Sequence, residues 1–228
     1  MTRIVGISGK TGRINRELHK LLEARRLKVK VPNTNDKVIS LRQIFEEGID
    51  VFIDFSHPCL WSEIIKLCCE FKVPLISGTT GIHQLESSLK FCSRYIPVCH
   101  SSNFSSGIYY IKHFLKLLKV KFDNIDLHEE HHINKIDAPS GTALDLCDIL
   151  KINPRDVDVV RQGDHIGKHK VSLSFDNQKL EIEHCATSKA MFAQGALDLV
   201  PWILEQEHGV YTMDHYMSEV KLCHLDTL

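Results

Sequence analysis

Short apolar runs alternate with segments of helical periodicity along the first hundred residues. Strands are predicted at residues 3–8, 27–31, 50–55, 73–78 and 95–100, and helices at 13–26, 41–47, 60–71 and 83–94. The run at 50–55 is apolar at nearly every position, as in a strand that is buried on both faces. Strands that alternate with helices indicate a parallel sheet with right-handed crossovers. The first half of the chain is therefore predicted to be an α/β domain.

The pattern of polar and apolar positions changes in the second half. Helices are predicted at residues 105–120 and 142–150, a short strand at 124–127, and a hairpin at 170–185. The hairpin alternates apolar and polar positions on both sides of an Asp-Asn turn, which is typical of a sheet with one solvated face.

A last helix is predicted to start near Ala190, with a kink or restart at Pro201.

Composition limits the class of protein. The chain has 228 residues, of which 43% are hydrophobic and 25% charged, and its formal net charge is −1. This near-neutral charge gives no sign of a nucleic-acid or membrane partner. No apolar run reaches the length of about 18 residues that indicates a transmembrane helix. The first residues lack the apolar stretch of a signal peptide, so a cytoplasmic location is expected. The eight cysteines form no C-x-x-C pair, which favours buried reduced thiols.

A glycine-rich turn follows the first predicted strand. The sequence GISGKTGRIN at residues 6–15 has glycines at 6, 9 and 12, and the helix that follows would offer free N–H groups to a phosphate. A P-loop is disfavoured because Ile4 stands where the first glycine of that motif would be. A plain tight turn is the alternative to a phosphate-binding turn.

Two further turns of small residues, SGTTG (77–81) and HSSNFSSG (100–107), follow later strands. The carboxyl ends of parallel strands meet at one edge of the sheet, where ligands of α/β proteins bind, so the three turns together predict a dinucleotide groove. NADH and NADPH both stay open as cofactors. No acid stands at the end of the strand 27–31, Asp36 comes several residues later, and Lys28 and Lys30 are basic.

The segment EEHHINKIDAPSGTA (129–143) is the second candidate site. With His128 it spells His-Glu-x-x-His, a zinc motif that requires a helix to bring His128 and His132 to one face. The alternation before it favours a strand, and a proline turn follows it, so the zinc interpretation is the weaker one.

The same segment has the elements of an anion site. Thr142 and Asp145 resemble a capping box at the start of the next helix, with Ser140 as a rival cap. A helix start of this kind favours a carboxylate or phosphate, and upstream histidines and a lysine can donate protons beside it. The alternative is that the histidines are surface residues and Ser-Gly-Thr a plain cap.

The segment closely resembles the signature of the dihydrodipicolinate reductase family, E-x-H-H-x-x-K-x-D-A-P-S-G-T-A. The turns GKTGRI, GTTG and SNFSSG, the strand DVFIDFS and the run VRQGDHIGKH (160–169) also resemble that family. The resemblance covers most of the chain. It implies a Rossmann-like dinucleotide-binding domain at 1–104 with 190–228, and a smaller α+β substrate-binding and oligomerisation domain with an open mixed sheet at 105–189.

The resemblance also implies a function: reduction of 4-hydroxy-tetrahydrodipicolinate to tetrahydrodipicolinate by NADH or NADPH, in the diaminopimelate–lysine pathway. His131 would be the general acid or base and Lys135 a second proton donor. The substrate, a small dicarboxylate, would be bound by His132, Ser140, Gly141 and Thr142. The cofactor would be bound by three sets of residues: Gly9, Lys10, Thr11, Gly12, Arg13 and Ile14; Gly78, Thr79 and Thr80; and Ser101, Ser102, Asn103 and Phe104. The resemblance implies no metal, and a homo-oligomer, typically a tetramer.

Three features depart from the family pattern. Asn15 replaces a small glycine in the first helix, and Lys189 stands where the family often has arginine. The segments before DVFIDF and before VRQGD are short. Two other functions are weighed against the reductase: a zinc-dependent hydrolase that uses His128, Glu129 and His132, and a protein that binds NAD(P) without turnover.

Overall fold

The structure is a computed structural model that describes residues 3–32 and 37–225, with side chains throughout except at 37–39 and 221–225. Asp36 and the side chain of Cys223 lie outside this description. By its internal contacts the chain divides into two compact units. The first unit comprises Met1–Phe104 and Ala190–Leu228, and the second unit comprises Ser105–Lys189.

Ten strands occur in the described residues: β1 (Ile4–Ile7), β2 (Lys28–Lys30), β3 (Val51–Asp54), β4 (Leu75–Ser77), β5 (Pro97–His100), β6 (Asn124–His131), β7 (Asp158–Arg161), β8 (Lys168–Phe175), β9 (Gln178–Cys185) and β10 (Gly209–Tyr211). The same residues form eight helices: α1 (Arg13–Ala24), α2 (Lys37–Glu46), α3 (Trp61–Phe71), α4 (Leu85–Cys92), α5 (Ser106–Leu117), α6 (Gly141–Leu150), α7 (Ala190–Ile203) and α8 (Met213–Leu225). Short 3₁₀ turns lie at Pro58–Leu60 and Pro154–Asp156.

The first unit is a Rossmann-like α/β fold. Its six strands are all parallel, in the order β10-β5-β4-β3-β1-β2. All four residues of β3 are buried, as the continuous apolar run predicts. Helix α1 buries Leu18 and Leu22 at helical spacing and packs against α7. The parallel order brings the carboxyl ends of all six strands to one edge of the sheet.

The second unit contains a four-stranded mixed sheet in the order β7-β6-β8-β9. Strand β6 pairs in parallel with β7 and antiparallel with β8, and β8 pairs antiparallel with β9. One face packs against α5 and α6 through an apolar cluster that includes Leu127, Val171 and Leu146. The turn between β8 and β9 has left-handed Asp176 and Asn177 (φ 47° and 59°), the geometry of a tight two-residue hairpin. This confirms the predicted open mixed sheet.

Several predicted elements need correction. The strand predicted at 124–127 extends to His131, because its polar residues Glu129 and His131 are buried against other polar groups. Strands β7 and β10 and helix α8 were not predicted. Pro201 neither ends nor restarts α7, which continues to Ile203.

The thiols and helices bear on two of the sequence-based expectations. Cys68, Cys92, Cys99 and Cys147 are buried and free, but the free thiols of Cys59 and Cys185 are exposed, which corrects the expectation of buried thiols for these two.

Within the described part of the chain, no helix is both long and apolar enough to cross a bilayer.

Candidate active site

The turn between β1 and α1 presents an uncapped helix N-terminus. Gly12 is the N-cap residue, with φ −61°, and has no side chain to cap α1. The first turn of α1 has no acidic residue, and Lys10, Thr11, Gly12 and Arg13 are exposed. The positive dipole end of a helix beside exposed cations suits a phosphate. The turn predicted to bind a phosphate thus lies at the start of α1 and carries exposed positive charge.

Asn15, which departs from the family pattern, lies beneath this turn. Its side chain is 3% exposed, and its Nδ2 donates to Ser8 Oγ over 3.3 Å. A Cβ atom at Gly12 would lie 3.5 Å from Asn15 Nδ2, which is ordinary contact. The larger side chain is thus accommodated below the turn and does not block its exposed side.

Hydrogen bonds connect the turns along the carboxyl edge of the sheet. Phe55 N donates to Ser8 Oγ over 3.2 Å, which links the turns after β3 and β1. Ser56 N donates to Thr79 Oγ1 over 3.1 Å, which links the turns after β3 and β4. Ser101 N donates to Ser77 O over 3.1 Å and extends the series to β5. The turns predicted to bind a cofactor are thus brought together at one edge.

Asp54, at the end of β3, holds the turn after β4 from below. Its carboxylate is fully buried and accepts hydrogen bonds from Thr79 Oγ1 (2.7 Å), Ser77 Oγ (3.0 Å) and Ser56 N (2.9 Å). The hydroxyl of Thr79, a predicted cofactor residue, therefore points into the protein. Its carbonyl contacts His100 Nε2 at 2.9 Å. Thr80 beside it is exposed.

Gly78 is required by close packing of two phenylalanines. A Cβ atom there would lie 2.2 Å from Phe55 Cε1 and 3.0 Å from Phe104 Cε2. Phe104 is 2% exposed and forms an edge-to-face pair with Phe55, with ring centroids 5.6 Å apart. Phe104, although predicted to bind the cofactor, is thus a core side chain. Ser101 Oγ donates to Asn103 O over 2.7 Å, and Ser102 is exposed.

In the second unit, β6 separates the residues of the signature segment onto two faces. Glu129 and His131 are buried on the face that packs against the helices, at 0% and 6% exposure. His128 lies on the other face, where its Nδ1 contacts Asp158 Oδ2 at 2.7 Å. Because the segment is a strand, His128 and Glu129 point in opposite directions, and the zinc-protease geometry predicted as an alternative is absent from it.

A buried carboxylate organises the site. Arg161 Nη2 donates to Glu129 Oε1 over 2.6 Å, and Ser140 N donates to the two carboxylate oxygens over 3.0 and 3.2 Å. His169 Nε2 lies 3.6 Å and His131 Nδ1 3.8 Å from Oε2. Burial raises the pKa of Glu129, but the contact with His169 and the hydrogen bonds from Ser140 and Arg161 outweigh it and hold this pKa well below its usual range. Glu129 is therefore an anion at neutral pH.

His131 is held neutral in the ligand-free protein. Its ring meets that of His169 edge to face, with centroids 5.2 Å apart. Burial, and then the charges of His169, Lys135 and Arg161, lower the pKa of His131 to about 4, and Glu129 opposes this effect. At pH 7 the imidazole therefore has one protonated nitrogen and one that can accept a proton.

The loop 132–139 carries Lys135 and is attached to the same arginine. Arg161 Nη2 also donates to Asp137 O over 2.7 Å. Lys135 Nζ donates to both carboxylate oxygens of Asp137, each over 2.8 Å. Arg161 thus connects the loop that carries Lys135 to the buried carboxylate beside His131.

The start of α6 completes the site. Ser140 is the N-cap residue and its Oγ accepts from Ala143 N over 3.2 Å. The capping box predicted from Thr142 and Asp145 is therefore wrong, and Asp145 instead pairs with Lys112 over 3.3 Å. Thr142 is 5% exposed, whereas Gly141 and His132 are partly exposed.

Donor atoms of Glu129, His131 and His169 lie within 4.8 Å of one another, close enough for a metal ion. The guanidinium of Arg161, 2.6 Å from Glu129, already compensates the carboxylate and would repel a cation. We therefore assign Glu129 to the ion pair.

Three residues of this site had no predicted role in the reductase: Glu129, Arg161 and His169. All three belong to segments that resemble the family, the signature and the run at 160–169. Their roles depend on contacts between strands, and only the alternation along β6 could have indicated that Glu129 points inward.

Comparisons with known proteins agree with the geometry. Residues 3–104 match the family model for the N-terminus of dihydrodipicolinate reductase, and residues 107–217 match the model for its C-terminus. A 4-hydroxy-tetrahydrodipicolinate reductase of Bdellovibrio bacteriovorus is 33% identical over 91% of this chain and 93% of its own length. One of Alkaliphilus oremlandii is 36% identical over 74% of this chain and 80% of its own length.

A solved structure, dipicolinate-bound dihydrodipicolinate reductase from Paenisporosarcina sp. TG-14, has the same fold. It superposes with a TM-score of 0.75 at 20% identity and covers 94% of this chain and 99% of its own. With matches to both family models over nearly all of its length, the chain belongs to the dihydrodipicolinate reductase family.

Proposed function

We propose that this chain reduces 4-hydroxy-tetrahydrodipicolinate to tetrahydrodipicolinate with NADH or NADPH, in diaminopimelate and lysine biosynthesis. One observation carries the proposal. In a member of this family, His131 lies 3.8 Å from the carboxylate of Glu129, which accepts from Ser140 N at the start of α6. Arg161 connects that carboxylate to the loop that carries Lys135. The proposal keeps the cytoplasmic location that the sequence predicts.

The substrate is a small dicarboxylate, and the start of α6 supplies a site for one of its carboxylates. Gly141 and Thr142 lie in the first turn, where backbone N–H groups and the helix dipole favour an anion. His132 and Lys135 add donors from the loop before it. The proposed substrate residues are therefore His132, Ser140, Gly141 and Thr142, with Ser140 acting mainly as the cap that holds the helix start in place.

The reaction consumes one proton. A hydride adds to the ring carbon, the hydroxyl group leaves as water, and the balance requires one proton from the protein or solvent. The bound nicotinamide supplies the hydride. His131 and Lys135 are the proposed proton donors. His131 is neutral in the ligand-free protein, so the two carboxylates of the substrate would raise its pKa on binding and make it a donor.

The cofactor is proposed to bind at the carboxyl edge of the first sheet. Its phosphates would lie at the N-terminus of α1, next to Lys10 to Ile14 and Gly9, and its nicotinamide end near Gly78 to Thr80 and Ser101 to Asn103. Thr79 and Phe104 would contribute through the backbone, since their side chains face inward.

A cavity of about 300 Å³ lies beyond the turn and suits the adenosine end of the cofactor. Its lining includes Lys10, Lys30 and Glu47. Lys30 Nζ donates to the carbonyl of Glu47 over 2.6 Å and pairs with its carboxylate at 3.3 Å. We propose that Lys10 attracts a 2′-phosphate, so that NADPH binds at least as tightly as NADH.

A homo-oligomer, a tetramer by family resemblance, is proposed to form through the open face of the second sheet. This face carries paired charges, such as Lys168 with Glu183 at 3.0 Å and Lys170 with Glu181 at 2.9 Å. Light scattering coupled to gel filtration tests this proposal, and a monomer at micromolar concentration would contradict it.

The function is tested by NAD(P)H oxidation in the presence of freshly formed product of the preceding aldolase condensation. We expect turnover that depends on this product. Cofactor binding without turnover would instead support a non-catalytic NAD(P)-binding protein. Stoichiometric zinc that is lost in His128→Ala would support the hydrolase, which no contact in the described residues favours.

A further inference from the structure

The buried carboxylate of Glu129 has more partners than a structural ion pair needs. Arg161 alone would compensate its charge, yet Ser140, His169 and His131 also surround it. Oε1 faces the guanidinium, and Oε2 faces the two imidazoles. One carboxylate thus connects the loop-holding arginine to the proposed proton donor.

The orientation of His131 is informative. Its Nδ1 is buried, has no hydrogen-bond partner in the described part of the chain, and lies 3.8 Å from Glu129 Oε2. This separation is too long for a direct hydrogen bond. The negative charge of the carboxylate is nevertheless close enough to favour one of the two positions of the imidazole proton. A proton on Nδ1 would be attracted by the carboxylate, whereas a lone pair there would face a negative charge.

The other ring nitrogen of His131, Nε2, lies next to Gly167. A Cβ atom at Gly167 would lie 3.1 Å from His131 Nε2, closer than side chains normally approach. Gly167 has no unusual φ that would require glycine. A side chain at position 167 would therefore crowd Nε2, and the glycine avoids this.

We propose that Glu129 is a positioning residue of the proton-transfer site, whose carboxylate holds a proton on Nδ1 of His131 and leaves Nε2 to exchange protons with the substrate. The inference rests on the proposed function for the last step only. The position of the proton in the ligand-free protein can be measured without any turnover.

The charges that face His131 come from every element around it. They are Glu129 on its own strand, Lys135 on the loop, Arg161 on β7 and His169 on β8. Glu129 favours the imidazolium form, and the three other groups disfavour it. Removing Glu129 and removing Arg161 should therefore shift the protonation of His131 in opposite directions.

The first test is NMR spectroscopy of the protein with ¹⁵N-labelled histidine. Two-bond ¹H–¹⁵N correlation spectra distinguish the two tautomers, and the spectrum of His131→Gln identifies the signals of His131. We expect the Nδ1–H tautomer in the wild type. In Glu129→Gln the carboxamide can still accept from Ser140 N, but we expect a mixture or the Nε2–H tautomer.

Glu130→Gln is the matched control, because Glu130 neighbours Glu129 in sequence but points to the opposite face, towards Gln162 and His165. It should leave the tautomer unchanged. A wild-type Nε2–H tautomer, or equal effects of Glu129→Gln and Glu130→Gln, would overturn the proposal. With the signals of His131 identified, the wild-type spectrum decides this even if Glu129→Gln or Arg161→Gln does not fold.

The pH titration of the same signals provides a second readout. The titration midpoint of His131 should fall in Glu129→Gln and rise in Arg161→Gln, whereas a merely structural role predicts no opposite shifts. In the active enzyme, kcat should fall at least tenfold in Glu129→Gln with a smaller change in KM. If the NMR result holds but no reductase activity is found, the proposed function fails and the proton placement stands.

Discussion

The ammonium group of Lys135 donates to both carboxylate oxygens of Asp137. The same ammonium group is proposed to bind the substrate. Asp137 is about half exposed, so the pair contributes at most about 1 kcal/mol. A substrate carboxylate has to compete with it.

Asp137→Asn should therefore lower KM by up to about fivefold, with little change in kcat, because the freed ammonium can bind the substrate. Steady-state kinetics at low and moderate salt measure this. Asp148→Asn is a matched control with the same charge change on an exposed position of α6. An increase in KM for Asp137→Asn would show that Asp137 instead holds Lys135 in its active position.

His131→Gln should lower kcat by about 10²- to 10⁴-fold if His131 transfers a proton. His128→Gln, on the opposite face of the same strand, should retain wild-type kinetics. Lys135→Ala should reduce kcat and raise KM together. A change in His131→Gln that is confined to KM would make this residue a substrate ligand only.

The lowered pKa of His131 predicts that the free energy of unfolding falls as the pH falls from 6.5 to 4. In this range the unfolded chain binds a proton at His131 and the folded chain does not, because its pKa is about 4. The loss amounts to about 3 kcal/mol. The lowered pKa of Glu129 also makes the free energy of unfolding fall as the pH falls, but only at pH values below the usual pKa of a glutamate.

Urea unfolding at several pH values measures this dependence. His131→Gln should flatten the curve between pH 6.5 and 4, whereas His83→Gln, at an exposed position, should leave it unchanged. An unchanged slope in His131→Gln would mean that the imidazole is protonated in the folded protein.

Two glycine substitutions should separate cofactor binding from stability. Gly12→Ala adds a Cβ atom that meets only Asn15 at 3.5 Å, so the unfolding free energy should fall by less than about 1 kcal/mol. If a phosphate approaches this backbone, Kd for NADH should rise at least tenfold. Fluorescence titration and thermal unfolding measure the two effects.

Gly107→Ala should give the reverse result. Its Cβ atom would lie 2.7 Å from His184 Cδ2, so the histidine ring must move. Overpacking of this kind costs about 1–3 kcal/mol and should lower Tm by several degrees, while the folded fraction still binds the cofactor. An unstable Gly12→Ala with normal affinity would contradict the proposed phosphate turn.

Lys10→Gln should weaken NADPH binding more than NADH binding, because only NADPH has a 2′-phosphate. We expect the ratio of the two Kd values to change by about tenfold at low salt and less at high salt. Lys20→Gln, an exposed position further along α1, is the control. Equal losses for both cofactors would place Lys10 at the shared diphosphate.

The sequence predicted the parallel sheet well, because hydrophobic periodicity and glycine turns are local signals. Strand β10 was missed because three residues, Gly209–Tyr211, are too short to show a pattern. The direction in which each side chain of a turn points could also not be predicted. Thr79 and Phe104 looked like surface ligands until the contacts with Asp54 and Phe55 turned them inward.

In the second unit, the family resemblance indicated which segment carries the chemistry, but not which partner each residue has. The pairing of Glu129 with Arg161 joins residues from parallel neighbouring strands, and no local spacing reports it. The same holds for His169, which β8 brings beside His131 from the other side.

Strand β6 is hydrogen-bonded on both sides, and its alternation divides the acids and histidines of one short segment between two environments. Sliding this strand by a single residue would exchange Glu129 and His131 for His128 and Glu130. The segment therefore tolerates substitution on its outer face far better than a one-residue insertion or deletion. Such a length change would turn Glu129 and His131 away from the site, although both residues would still be present in the sequence.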